Sequence, residues 1–145
     1  MTVLIKYLRK YILYIAFVQA LVATLGSLYF SEIAGVVPCI LCWYQRICMY
    51  PLVVILAVGI LKKDKLLHYY VLPLSIAGVS IALYHYLLQV GVIPENIAPC
   101  TAGISCASRF VQWFGFVTIP FLSLCAFAVI TACMIFFSKQ KKYVK

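Results

Sequence analysis

The sequence predicts an all-α integral membrane protein, a four-transmembrane-helix bundle with a short interfacial helix before the fourth span. Three observations carry this. The 145-residue chain is 66% hydrophobic and 10% charged, with a mean hydropathy of +1.09, whereas a soluble domain is about 45–50% apolar and about 25% charged. Its apolar residues fall in four runs, each long enough for a hydrocarbon core about 30 Å thick, which takes roughly 20 helical residues. Its cations gather on alternate connections between those runs. Too little polar surface remains to cover a water-facing exterior, so a soluble globular protein is excluded.

The spans are residues 11–30, 43–61, 68–90 and 116–137, with outer loops at 31–42 and 91–115, all within one membrane domain covering 1–145. A lipid-exposed segment must satisfy its own backbone, and none of the runs shows the polar alternation of a barrel strand, so each is a helix. Pro51, Pro73 and Pro120 are placed within a turn or two of a span's start, where a missing N–H is best tolerated. The first run exceeds a signal-peptide core and no small-x-small cleavage site follows it, so it reads as an uncleaved anchor. No internal repeat or separate soluble domain stands out.

Charge sets the direction. Lys6, Arg9, Lys10, Lys62, Lys63, Lys65, Lys139, Lys141, Lys142 and Lys145, ten of the twelve cations, share one side with Asp64. Glu32, Glu95 and Arg109 lie on the other. The positive-inside rule then makes both termini cytoplasmic in a multi-pass protein of the cell membrane. The formal net charge of +9 is therefore a topology signal with attraction to anionic membrane lipids as a by-product, and no nucleic-acid partner is expected.

Seven cysteines divide by position. Cys48, Cys125 and Cys133 lie within spans, where cysteine serves as a small hydrophobe. The other four face outward as two close pairs: Cys39 and Cys42 in PCILC, and Cys100 and Cys106 in PCTAGISC. A C-x-x-C at a helix start suits exchange chemistry, because the positive end of the helix stabilises a thiolate. A bracing disulfide and half of a zinc site shared with Cys100 and Cys106 are the alternatives. The five-residue gap in the second pair is longer than zinc sites favour, which weighs against metal. Bridging Cys100 and Cys106 would close a short, exposed ring, the kind that oxidises other thiols readily and offers a docking point for a partner. Beyond it, Phe110, Trp113 and Phe114 fall on one side of a helical wheel and Ser108, Arg109 and Gln112 on the other, which predicts the interfacial helix and turns Cys106 toward the bundle and Cys39.

Polar residues inside the membrane complete the pattern. Arg46 lies one turn, about 6 Å, below Cys42 on the same face, either snorkelling to the headgroups or holding a cation beside the sulfur. His85, near the outer end of the third span with Gln89 one turn above it, sits at the same depth. His68, beside the Lys cluster, reads as an interface residue. A dithiol, a cation and a protonatable ring between apolar walls, open to lipid, fit a lipid-soluble two-electron acceptor, and a quinone meets that description. No glycine-rich nucleotide motif or C-x-x-C-H haem attachment offers another destination for electrons.

The segments PCILCWYQR, PCTAGISC, YHYLLQ and CASRFVQWFGFVTIP together resemble the disulfide bond formation protein B (DsbB) family, especially its short Gram-positive, BdbC-like branch, through all four spans. The resemblance implies a thiol:quinone oxidoreductase that reoxidises an extracytoplasmic thioredoxin-fold protein of DsbA or BdbD type, supporting disulfide formation in exported proteins. On that resemblance Cys100 is attacked by the partner's thiolate and Cys106 resolves the mixed disulfide, then attacks Cys39. Cys42 becomes the thiolate facing the quinone, menaquinone or ubiquinone, with Arg46 and His85 as quinone-site residues. Gln45 stands where family members carry Glu or Gln. The Cys100–Cys106 spacing is much shorter than in the longer Gram-negative members.

Overall fold

The computed structural model describes residues 2–94, 105–106 and 118–142. Among them every regular element is helical: α1 (Thr2–Leu28), continued by a π-helical segment (Tyr29–Ile33), α2 (Ile40–Leu61), α3 (Leu67–Val90) and α4 (Ile119–Lys142). All four are long and apolar enough to cross a membrane.

The helices form a ring in chain order. α1 packs on α2 and α4, α3 packs on α2 and α4, and the diagonal pair α2 and α4 barely meets. The short α1–α2 and α2–α3 connections make those neighbours antiparallel. The α2–α3 link turns through Lys63, whose φ is 52°, and the Asp64 carboxylate accepts from the Leu66 N–H at 2.7 Å, a local turn that needs no distant partner.

Leu52, Leu56, Val71, Ala82, Phe127, Ile130 and Met134 make the buried core. With lipid as apolar as leucine, close packing has to hold such helices together, and small residues make it possible. Gly78 of α3 does this against α4, because a Cβ there would overlap the Phe127 ring. Only 17–33% of each span is buried inside the bundle, and Val22, Ile47, Val54 and Ile76 project outward. That outer apolar belt is what a lipid-facing surface requires.

Several boundaries differ from the sequence reading. The chain stays helical to Ile33 and resumes at Ile40, so the first outer connection is shorter than 31–42 and Cys42 lies inside α2. Hydropathy marks where a helix leaves lipid, whereas hydrogen bonding and caps decide where it ends. Pro51 falls near the middle of α2, not at its start, with its ring on the exposed surface. His68, at the start of α3, is buried and lies against Tyr69 and Phe137, because its face of α3 meets α4. Cys48 is buried and Cys133 packs at the core's edge, but Cys125 is exposed on the outer surface of the bundle. The predicted interfacial helix, with Phe110, Trp113 and Phe114, and Cys100 lie outside the described residues.

Candidate active site

The site starts from the entrance to α2. Gly35 (φ 67°) turns the chain after the π-helical segment, and Pro38 fixes the approach to Cys39. Cys39 has extended backbone and is the N-cap of α2: its sulfur accepts from the Cys42 N–H at 3.4 Å. A side-chain acceptor at this position satisfies one of the orphan amides of the first turn and lies at the positive end of the helix dipole. The same geometry sets the two sulfurs 3.0 Å apart in a hydrogen bond. The hydrogen bond from the Cys42 side chain is the largest influence on Cys39. With help from His85 and the Cys42 N–H it outweighs desolvation and brings the Cys39 thiol from 9.0 down to about 4. In the reduced pair the charge therefore rests on Cys39.

α3 brings His85 to this sulfur. Its Nε2 lies 3.6 Å from Cys39 Sγ and 3.2 Å from the Cys106 carbonyl oxygen, and its Nδ1 lies 3.0 Å from Gln45 Nε2. A carbonyl can only accept, so Nε2 carries the ring proton, and Nδ1 then accepts from the Gln45 amide. His85 is 1% exposed and Gln45 6%, so the tautomer is held in a dry environment. One imidazole thus joins the α2 dithiol to the outer segment carrying Cys106.

Cys106 is itself disulfide-bonded and buried in a cluster with Cys39, Leu41 and Leu88. It sits in a turn, turned toward the bundle as expected. Cys39 and Cys42 are free thiols. Cys106 is thus oxidised while the Cys39–Cys42 pair is reduced.

Arg46 stays inside the bundle. Its Nε–H donates to Ser27 Oγ at 2.9 Å and an Nη2–H donates to the Ser27 carbonyl at 3.1 Å, while the guanidinium lies 5.3 Å from the Trp43 ring centroid. Two hydrogen bonds to α1 and a cation–π contact hold it in place.

These groups line one cavity of about 300 Å³ between the outer halves of the helices. Its lining includes polar groups, Cys42, Arg46, His85 and Gln89, among apolar ones such as Phe30, Met49 and Ala126. The volume is at the lower end of small-molecule sites, about 300–1,000 Å³, and accommodates a flat ring of one or two cycles. Sequence reasoning missed two contacts. Ser27 gave no signal, since serine at a span's edge is common. Gln45 could have been found from its position, three residues after Cys42 and adjacent to Arg46.

Four apolar helices that set a free cysteine pair against a further, disulfide-bonded cysteine at the wall of a mostly apolar cavity define a membrane protein of dithiol–disulfide chemistry. The chain belongs to the DsbB family: the family described as "Disulfide bond formation protein DsbB" matches residues 9–137. It is 48% identical over 133 residues to "Disulfide bond formation protein C" of Bacillus subtilis (strain 168), covering 92% of this chain and 96% of that protein. It is 44% identical over 133 residues to "Probable disulfide formation protein C 1" of Bacillus anthracis, with the same coverage. To "Probable disulfide formation protein C" of Halalkalibacterium halodurans it is 47% identical over 126 residues, 87% of this chain and 92% of that one. No solved structure matches. The protein is thus a multi-pass membrane oxidoreductase of disulfide bond formation.

Proposed function

We propose that the protein is a thiol:quinone oxidoreductase that takes electrons from a thioredoxin-fold dithiol oxidase outside the cell membrane and delivers them to membrane menaquinone or ubiquinone. Both termini are cytoplasmic, which puts both cysteine pairs on the oxidising side, where such a partner works. The observation that carries this reading is the position of the Cys39–Cys42 dithiol, packed beside Cys106 on one side and lining the Arg46 cavity on the other.

The exchange steps balance as follows. A partner thiolate attacks Cys100, breaking its bond to Cys106 and forming a mixed disulfide; the partner's second thiolate resolves it and leaves as a disulfide. Cys106, now a thiolate, attacks Cys39 of an oxidised Cys39–Cys42 pair and expels the Cys42 thiolate. Cys100 then attacks Cys106, which restores the outer disulfide and frees Cys39. Two electrons have moved inward, and the disulfide at Cys106 beside free Cys39 and Cys42 thiols is compatible with that end state.

The cavity fits a quinone head. Its lining is mostly apolar and includes a fixed cation, Arg46, and a histidine, His85. A quinone bound there supplies an acceptor for two electrons and two protons. Arg46 provides positive charge where negative charge develops, without reorganising, since Ser27 already orients it. His85 keeps a proton on Nε2 beside the dithiol and orients the Cys106 carbonyl.

The test is direct. Reduced thioredoxin-fold partner mixed with quinone-loaded protein should consume quinone, and Cys42→Ser should abolish the reaction; an unchanged rate would overturn the proposal. A Cys106→Ala variant, whose Cys100 thiol is free, should form a mixed disulfide when given the partner in its disulfide form, by attack of the Cys100 thiolate and expulsion of the partner's second thiolate.

A further inference from the structure

We propose that the reduced Cys39–Cys42 pair and His85 form a binding site for a thiophilic divalent cation of the zinc and cadmium type, which locks the protein in its reduced state. The donor atoms are already gathered: both sulfurs and a ring nitrogen of His85 lie within 4.8 Å of one another. For tetrahedral zinc, with Zn–S about 2.3 Å and Zn–N about 2.0–2.1 Å, ligand atoms stand about 3.8 Å apart for two sulfurs and about 3.6 Å for sulfur and nitrogen. Cys39 Sγ and His85 Nε2 are already 3.6 Å apart. The two sulfurs, at 3.0 Å, need to part by less than an ångström, a small rotation of the Cys42 side chain.

The chemistry of the surroundings agrees. Two thiolates neutralise a dication, so the complex enters a buried site with no net charge, which a low-dielectric environment demands. Thiolate and imidazole together favour zinc and its heavier congener over magnesium or calcium. To ligate through Nε2, His85 must carry its proton on Nδ1 and hand it to an acceptor. Gln45, already 3.0 Å from Nδ1, supplies one when its amide turns over to present Oε1. A ligating histidine that donates its other N–H to a fixed side chain is the arrangement that metal sites use. The fourth coordination position opens on the cavity. With both thiolates engaged, neither can attack a disulfide or pass electrons on.

The site needs a reduced inner pair and does not depend on what the electron acceptor is, so its test is separable from the quinone proposal. Full-length protein carrying Cys100→Ser and Cys106→Ser, reconstituted in nanodiscs and reduced, is titrated with Co²⁺ as a spectroscopic stand-in and then with Zn²⁺. One cobalt per chain should bind with thiolate-to-cobalt charge transfer and intense tetrahedral visible bands, and zinc should displace it. The oxidised protein should bind none. His85→Ala should weaken binding at least about tenfold, and Gln45→Ala by about tenfold. Absence of the charge-transfer band in the reduced protein, or equal affinity in His85→Ala, overturns the proposal. Should His85→Ala fail to fold, zinc-edge X-ray absorption of the protein with His85 intact decides: two sulfurs with imidazole scattering support the site, and sulfur with oxygen alone overturns it. If untreated protein fails to consume quinone while cobalt binds as described, the redox reading falls and the metal site stands.

Discussion

Arg46 is held by Ser27 through two hydrogen bonds, Nε–H to Oγ at 2.9 Å and Nη2–H to the backbone carbonyl at 3.1 Å. Ser27 lies just before the π-helical segment Tyr29–Ile33, and such widened turns recur at functional sites. The backbone bond survives Ser27→Ala and the hydroxyl bond does not. Losing one hydrogen bond to a charged group costs about 1.5–3 kcal/mol at most, and the remaining bond and Trp43 retain part of the orientation. Ser27→Ala should therefore raise the apparent quinone KM about 3- to 10-fold with little change in kcat, and Arg46→Ala should raise it further. Steady-state quinone reduction checks this, and an unchanged KM in both variants would make Arg46 a bystander.

The Gln45–His85 hydrogen bond predicts a non-additive pair. If Gln45 acts only by holding the ring in its Nε2–H form, its side chain has nothing left to do once the ring is gone. His85→Ala should slow quinone reduction about tenfold or more, and Gln45→Ala less. The double variant should match His85→Ala alone, whereas independent sites add within about 0.3–0.5 kcal/mol. Fully additive losses in that cycle would show that Gln45 has a separate role.

How much of this was legible follows from cost. Arg46 and His85 stood out because a polar side chain inside lipid is expensive and needs a reason, and Cys39 and Cys42 because C-x-x-C at a helix start is chemically specific. What joins them was hidden. Ser27 is an ordinary residue at a span's end, and its bond to Arg46 crosses from α1 to α2. Hydropathy put Cys42 in a loop, since cysteine at the membrane edge does not mark a boundary; the Cys39 cap moved it into the helix. The resemblance assigns the thiolate to Cys42, the group expelled during exchange, whereas the hydrogen bonds of the fully reduced pair put the charge on Cys39. The two assignments concern different points of the proposed cycle.

That charge gives a pH dependence. A thiol lowered to about 4 is a thiolate at every pH above that value and gains its proton only as pH falls through it. Because the thiolate is the nucleophile, alkylation of Cys39 in reduced Cys100→Ser/Cys106→Ser protein should be nearly flat from pH 8 to 5 and fall below about 4. Mass spectrometry of the Cys39 peptide after timed exposure to a small maleimide gives the profile. A rate that climbs about tenfold per pH unit between 5 and 8 marks an ordinary thiol and removes the case for a preformed Cys39 thiolate.

Two helix glycines should respond oppositely to the same substitution. A Cβ on Gly78 would overlap the Phe127 ring across the α3–α4 contact, and Phe127 is fully buried with no room to retreat; a Cβ on Gly26 meets nothing within 4 Å. Overpacking a tight contact costs about 1–3 kcal/mol, while alanine for glycine in an open helix gains up to about 1 kcal/mol. Gly78→Ala should lower the thermal midpoint of the detergent-solubilised protein, and Gly26→Ala should leave it unchanged or raise it. Equal midpoints would mean that α3 and α4 can separate without loss, and the close approach at Gly78 would then not be what holds that side of the bundle.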